Sequence, residues 1–509
     1  MRQINQLRTG VILSYVNLAI GCLIPFLYTP IMLDMLGQAE YGLYSLASSV
    51  VGYLSLLTFG FGSTIIRYVA KYRAEGKIEE VEKAFGFFLM LYVGLAVLVF
   101  VGGWILSGNV DRIFEKGLTA AEIDKVKTLT ILMAFNMALS FPISVFSSMI
   151  TACERYLFRR IVDIISSVAA PVLNLIALYM GFSSVGMTLA ATVLQILMMP
   201  VNVIYCCRVL KLRPRFARIP WAVIREMLGF SFYVFIGTIV DMLFWATDKV
   251  ILGMIASSVA VAVYNVGGTF NHMVIQLSTA ISGVLTPRIT GMVATDTAKE
   301  NLSELFIRVG RLQYFVIALI ISGFSVFGKA FIQLWSGPEY EQSFWIAVLT
   351  MFPLCIPLIQ NTGISILMAQ NKHRFRSLLY LVIAIANVIA TYLIVPYWGG
   401  IGAALCSCVS YLLGQGLIMN IYYHKVTGLN VPLFWKNILG MSWIPAVMLA
   451  VGLKLKDYIL MDNWLIFFLG VIVYSGIYVV LMYCFTLNRY EKDVIRQPVQ
   501  KIISKLTKK

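Results

Sequence analysis

Charge is scarce in this 509-residue chain: 13% of its residues are charged, 24 are Asp or Glu, and three are His. Ordinary globular domains carry roughly a quarter of their residues as charges, so the composition excludes a soluble enzyme, a disordered tail protein and a nucleic-acid reader. The histidines, His272, His373 and His424, are scattered and lack the short paired spacings of a zinc site. The eight cysteines lie in or beside apolar runs and read as small buried hydrophobes, neither disulfides nor ligands. No metal and no cofactor is implied. Also missing are a Walker-type phosphate loop, an HExxH helix, a GxSxG elbow and a large polar loop that could carry catalytic acids. The longest outer loop, about 108–127, contains Thr119-Ala-Ala-Glu122, which has the form of a capping box and starts a helix. The chain therefore does not read as an enzyme.

What it has in abundance is apolar sequence: 60% of residues are hydrophobic and the mean hydropathy is +0.84. A spanning helix needs roughly 20 apolar residues, and about fourteen such runs are present, near 11–33, 42–66, 84–107, 128–151, 164–182, 186–206, 230–252, 257–285, 312–335, 343–369, 378–396, 401–422, 437–453 and 464–487. The expected class is an all-α membrane protein of about fourteen transmembrane helices. Forty Lys and Arg give a net charge of +16. With the N-terminus placed inside, they fall on inner against outer segments at about four to one, which puts both termini in the cytoplasm. The first run is too long for a cleavable signal and reads as a signal anchor, so the expected location is the cytoplasmic (inner) membrane, as a multi-pass protein.

The chain repeats itself. Ala152-Cys-Glu-Arg-Tyr-Leu-Phe-Arg-Arg160 resembles Ala369-Gln-Asn-Lys-His-Arg-Phe-Arg-Ser377, and Val185-Gly-Met-Thr-Leu-Ala-Ala-Thr-Val193 resembles Ile401-Gly-Ala-Ala-Leu-Cys-Ser-Cys-Val409. The separation is about 216 residues in both cases. Ile31-Met-Leu-Asp-Met-Leu36 with Tyr44 matches Ile251-Leu-Gly-Met-Ile-Ala256 with Tyr264 at a similar separation, and Arg67 falls near Arg288. Six spans per copy is an even number, so both copies enter from one side, as in transporters built of parallel halves. The expected organisation is two pseudo-symmetric six-helix lobes: an N-lobe at 1–206, a cytoplasmic linker at 207–229, a C-lobe at 230–425, two accessory helices within 426–487 and a basic cytoplasmic tail at 488–509. Pro220 opens Trp221 to Glu226 as an interfacial amphipathic helix leading into span seven, and 494–509 patterns as another.

Ionisable groups within the hydrocarbon are costly and are functional candidates by default. Span seven holds the one well-placed cluster: Asp241, roughly 16 Å along the helix at 1.5 Å per residue, followed by Trp245 and Asp248 at i+4 and i+7, with Lys249 beside them. Asp248 and Lys249 read equally as the outer end of the helix. Arg67 and Arg288 are candidate phosphate contacts by bidentate bonding and equally ordinary positive-inside anchors. Neutral polar residues within spans, including Asn174, Gln195, Asn271, Gln360, Asn361, Asn387 and Gln415, are sugar or, more commonly, interhelix hydrogen-bond partners.

The parallel repeat, the two appended helices, Phe230-Ser-Phe-Tyr-Val-Phe-Ile-Gly-Thr-Ile-Val-Asp241 with Asp248-Lys-Val-Ile-Leu-Gly253, and Ser278-Thr-Ala-Ile-Ser-Gly-Val-Leu-Thr-Pro-Arg288 resemble the polysaccharide transporter family. These are lipid-linked oligosaccharide flippases of O-antigen (Wzx) type, in the multidrug/oligosaccharidyl-lipid/polysaccharide exporter superfamily. The resemblance implies alternating access and a cationic cavity that passes an undecaprenyl-diphosphate-linked glycan between leaflets. It also implies membrane lipid, a coupling cation or proton, a polysaccharide polymerase and glycosyltransferases as partners. Three rivals stand beside it: a cation- or proton-coupled drug or metabolite antiporter, a membrane glycosyltransferase or ligase using the same lipid carrier, and a non-transporting scaffold that assembles a polysaccharide machine.

Overall fold

A computed structural model describes residues 2–217, 221–283, 289, 291–293, 299–370, 372–456, 463–493 and 496. Arg288, Pro220 and the tail from 494 onward, apart from position 496, lie outside the described residues. Regular structure among the described residues is helical throughout. The helices are α1 (Arg2–Gly52), α2 (Phe61–Ala74), α3 (Ile78–Phe114), α4 (Ala120–Ala152), α5 (Tyr156–Tyr179), α6 (Ser183–Ile204), α7 (Trp221–Trp245), α8 (Thr247–Ile255) and α9 (Ser258–Gly283). They continue with α10 (Lys299–Ser336), α11 (Gln342–Ile359), α12 (Asn361–Ala369), α13 (His373–Tyr411), α14 (Met419–Tyr422), α15 (Val431–Leu455) and α16 (Trp464–Phe485).

Eleven helical stretches among the described residues are long and apolar enough to cross a membrane. Two of them, Ala19–Ala74 and Arg374–Thr427, each cover two of the expected apolar runs. Each is broken at a glycine where a loop was expected: Gly37 (φ 74°, ψ 168°) and Gly399 (φ 53°, ψ −137°), conformations that a side chain would strain. The expected eighth span is helical as α9 but, with Asn265, Asn271, His272 and Gln276, is too polar to count among the eleven. The sequence repeat coincides with equivalent punctuation. Three residues separate the end of α4 at Ala152 from the start of α5, and three separate the end of α12 at Ala369 from the start of α13. The 31–36 and 251–256 matches each run up to a helix break, at Gly37 and at Ala256.

The described chain forms two compact units, one of Met1–Asn265 with Ala384–Ala403 and one of Val266–Ile383 with Ala404–Lys509. In the first, α3 lies along α4 and α2 against both. Phe61, Ile65, Phe85, Phe88, Phe146 and Met149 form its core. The predicted capping box is present: Thr119 Oγ1 accepts from the Glu122 amide at 3.4 Å and Glu122 Oε2 accepts from the Thr119 amide at 2.9 Å. Glu122 also accepts a 2.5 Å bond from Ser258, which ties the start of α4 to the start of α9. Nearby, Glu40 accepts from Lys125 Nζ and Ser183 Oγ, each at 2.5 Å. After α6 the chain passes through a wide helical turn, Tyr205–Val209, into an irregular segment that docks on α3. The Arg215 amide donates to the Glu82 carbonyl (3.0 Å), and a Cβ on Gly86 would sit 2.3 Å from the Arg215 carbonyl oxygen.

In the second unit α10 is the central strut, packed by α11, α15 and α16. Val326, Phe327, Ile444, Tyr474 and Tyr478 join the two expected accessory helices to it. Arg311, 8% exposed, pairs with the fully buried Glu491 through Nε (2.5 Å) and Nη2 (2.9 Å), and also reaches the Thr486 carbonyl and Asn437. The chain loosens from α-helix into wide i+5 turns at 412–418 and 423–427. Asn420 satisfies carbonyls of the first stretch by donating to Gln415 and Gly416 at 2.8 Å each, while its Oδ1 accepts from Gln360 and Trp435.

Two predictions follow from this packing. A Cβ at Gly42 would stand 1.8 Å from the Ser258 carbonyl oxygen, whereas one at Gly94 would meet nothing within 4 Å. Gly42→Ala is expected to cost about 1–3 kcal/mol and Gly94→Ala almost nothing, measured as the melting temperature of purified protein in detergent. Arg311→Met leaves Glu491 buried without its cation and is expected to cost about 3–5 kcal/mol. Adding Glu491→Leu should return most of that loss.

Candidate functional site

Two helix interruptions in the first unit meet at a set of polar side chains. α1 gives way at Gly52 to a tight turn, Tyr53–Thr58, followed by Phe59 and Gly60 in left-handed conformations (φ 46° and 68°) before α2 begins. Gly60 is required here by space as well as by φ, since a Cβ would lie 2.5 Å from Val234 Cγ1 on α7. The Phe59 ring packs on Phe235, with centroids 4.7 Å apart. The second break separates α7 from α8 at Ala246 (φ −106°, ψ −34°). The hydroxyls of Tyr53 and Thr247 hydrogen-bond to each other and so join the two breaks. Farther along α7, Thr64 and Ser231 hydroxyls make a second tie at 2.6 Å.

The break at Ala246 changes the environment of the charged residues that follow it. A continuous span seven would put Asp241, Trp245 and Asp248 on one face; instead Asp248 is in the first turn of α8. There the exposed amides of a helix N-terminus favour a carboxylate. Asp248 is fully buried and accepts a hydrogen bond from the Tyr264 hydroxyl of α9. Lys249, half-buried, donates to Asn265 Oδ1 at 3.2 Å, and Asn265 Nδ2 donates in turn to Tyr41 Oη (2.6 Å) and Ser45 Oγ (3.1 Å) of α1. A buried acid and a neighbouring cation are thus held by α1, α8 and α9, through hydroxyls and one amide.

The sequence candidates divide as follows. Asp248 and Lys249 enter this network; Asp241 lies exposed about one and a half turns before the break, and the half-buried Trp245 directly precedes it. Arg67 is exposed on α2, and Arg288 lies outside the described residues. Tyr41, Ser45, Tyr53, Thr247 and Asn265 were not singled out from sequence. Tyr264 was noted only as a landmark of the repeat, which was the one available signal. Several neutral polar residues make interhelix bonds, among them Asn271 to Thr350 (2.7 Å), Gln360 to Asn420 (2.7 Å) and Asn361 to Ser278 (3.0 Å). Among the described residues no group of His, Cys, Asp and Glu could hold a metal ion.

The family described as "Polysaccharide biosynthesis protein" matches residues 7–293, more than half the chain. The chain belongs to that family. Full-length relatives of this polysaccharide biosynthesis protein include the membrane protein MJ1068 of Methanocaldococcus jannaschii, 22% identical over 475 residues (89% of this chain, 91% of the relative). Another is the membrane protein EpsK of Bacillus subtilis, 19% identical over 488 residues (93% and 94%). Among solved structures, the lipid II flippase MurJ in an inward closed conformation superimposes with a TM-score of 0.72 at 15% identity, covering 93% of this chain and 98% of that one. The Vibrio cholerae MATE transporter VcmN gives 0.59 at 14% identity, covering 84% and 98%. The fold of this family member, a multi-pass membrane protein, is therefore the one those transporters share.

Removing the Tyr264 hydroxyl takes a donor from a buried carboxylate, which costs about 1–3 kcal/mol. Tyr264→Phe should lower the melting temperature accordingly, and Asp248→Asn combined with Tyr264→Phe should lose less than the two single changes added together, because the neutral amide no longer needs that donor.

Proposed function

We propose that the protein is a flippase that carries an undecaprenyl-diphosphate-linked oligosaccharide repeat unit from the inner to the outer leaflet of the cytoplasmic membrane by alternating access, for assembly of a surface polysaccharide. The observation that carries this reading is the buried Asp248 beside Lys249 where two interrupted helices meet, in a member of a polysaccharide biosynthesis family. Interrupted membrane helices commonly form the substrate and ion sites of transporters. The likeness to a lipid II flippase supports a lipid-linked cargo.

In this proposal the chain crosses the membrane fourteen times, with both termini cytoplasmic. Residues 1–206 and 230–425 form six-helix lobes joined by the 207–229 linker, 426–487 supplies the accessory pair, and 488–509 is a basic tail. The polyprenyl chain stays in lipid while the diphosphate and sugars travel through protein. Lys249, balanced by Asp248 at rest, pairs with the diphosphate. Uptake of a proton or cation at Asp248 or Asp241 offsets the charge thereby displaced, and Trp245, Arg67 and Arg288 line the path. A glycan polymerase and glycosyltransferases are its working partners. A drug antiporter would present acids to a cationic cargo, whereas Asp248 here is already engaged by Tyr264, so the flippase is preferred.

The test is the leaflet position of lipid-linked glycan in cells depleted of the protein, read with an external glycan-cleaving enzyme on spheroplasts. Glycan shielded from the enzyme is the expected result, with Asp248→Asn restoring less cleavage than wild type at equal membrane abundance. Normal external cleavage after depletion would overturn the proposal.

A further inference from the structure

A second polar feature of the first unit takes no part in the Asp248 network. Between α1, α4 and α6 lies a cavity of about 280 Å³, lined by Tyr44, Ser48, Asn136, Ser140, Thr188 and Gln195 together with apolar side chains. It is open on one side, so that a single sugar ring can occupy it while the rest of a glycan extends outward. No Asp, Glu, Lys or Arg lines it. In a low-dielectric setting that selects a neutral ligand rich in hydroxyls over an ion.

The polar groups are pre-set. Asn136, 8% exposed, donates from Nδ2 to the Thr188 carbonyl at 3.0 Å and accepts from the Thr192 hydroxyl at 2.6 Å, which fixes the direction of its amide. Gln195 Oε1 is buried without a hydrogen-bond partner. Leaving such an acceptor empty is costly, and a ligand hydroxyl would satisfy it. Met133, Met137 and Val51, with the Tyr44 ring, supply the apolar surface that the C–H face of a sugar ring needs.

We propose that this cavity is a subsite for a single neutral sugar of the cargo glycan, with Gln195 Oε1 accepting a hydroxyl proton. The proposal rests on the flippase reading and adds a place where the glycan, as distinct from its diphosphate, is recognised.

The experiment measures binding of two lipids to full-length protein in nanodiscs by native mass spectrometry: undecaprenyl diphosphate alone, and the lipid-linked repeat unit extracted from the source cells. Wild type should bind both. Gln195→Leu should weaken the glycan-bearing lipid about tenfold, the scale of one lost hydrogen bond to a buried acceptor, and leave undecaprenyl diphosphate unchanged. Ser48→Ala gives the same ordering should Gln195→Leu fail to fold. Equal weakening of both lipids, or of neither, would mean a cavity filled only by water and would overturn the subsite while leaving the flippase reading standing. Failure of wild type to bind either lipid would overturn both.

Discussion

Hydrocarbon cannot hydrogen-bond, so every interruption of a helix within it must find partners inside the protein. This constraint explains where the polar side chains of the chain are placed. The breaks at 53–60 and at Ala246 are joined through Tyr53 and Thr247, and the loosened stretch at 412–418 has carbonyls capped by Asn420. At the kinks at Gly37 and Gly399, glycine supplies a backbone conformation that a side chain would strain. Helix breaks are expensive in this solvent, and two of them converge on the candidate site.

The same constraint separates two kinds of buried charge. Arg311 is saturated by Glu491, Asn437 and a carbonyl, next to the segment that follows α16. That is the pattern of an anchor, and it fastens both accessory helices to α10. Lys249 donates to an amide oxygen, and Asp248, in the N-terminal turn of α8, accepts from a tyrosine hydroxyl. Such partners can be exchanged without dismantling a core. In the proposed cycle that exchange couples cargo to the counter-charge.

Much of the architecture was legible because apolar length is written directly into sequence. The matched segments of the repeat fall at helix ends, at Ala152, Ala369, Gly37 and Ala256, since turns need specific residues at specific places. The interruption at Ala246 was not legible: nothing in Phe244-Trp245-Ala246-Thr247 breaks helical propensity, and the partner tied to the break, Tyr53, is distant in sequence. For the same reason the intramembrane rarity of charge pointed to Asp248 and Lys249, yet Asn265, which holds Lys249, and Tyr41 and Ser45, which hold Asn265, stayed hidden. Tyrosine, serine and asparagine are common in such helices, and only the packing of α1 against α8 and α9 distinguishes these three. Eleven sufficiently apolar helical stretches appear among the described residues where fourteen runs were expected because two stretches each run past a glycine kink and so cover two runs, and because α9 carries Asn265, Asn271, His272 and Gln276.

The central claim is that this chain itself moves a lipid-linked glycan and that the Asp248 network takes part. The most direct test is translocation of a fluorescent undecaprenyl-diphosphate-linked oligosaccharide in liposomes containing only the purified protein, followed by accessibility to an added glycan-cleaving enzyme. Exchange between leaflets above the protein-free rate, slowed several-fold by Asp248→Asn in protein of unchanged melting behaviour, is the predicted result. Exchange no faster than in protein-free liposomes, or unaltered by that substitution, would contradict it.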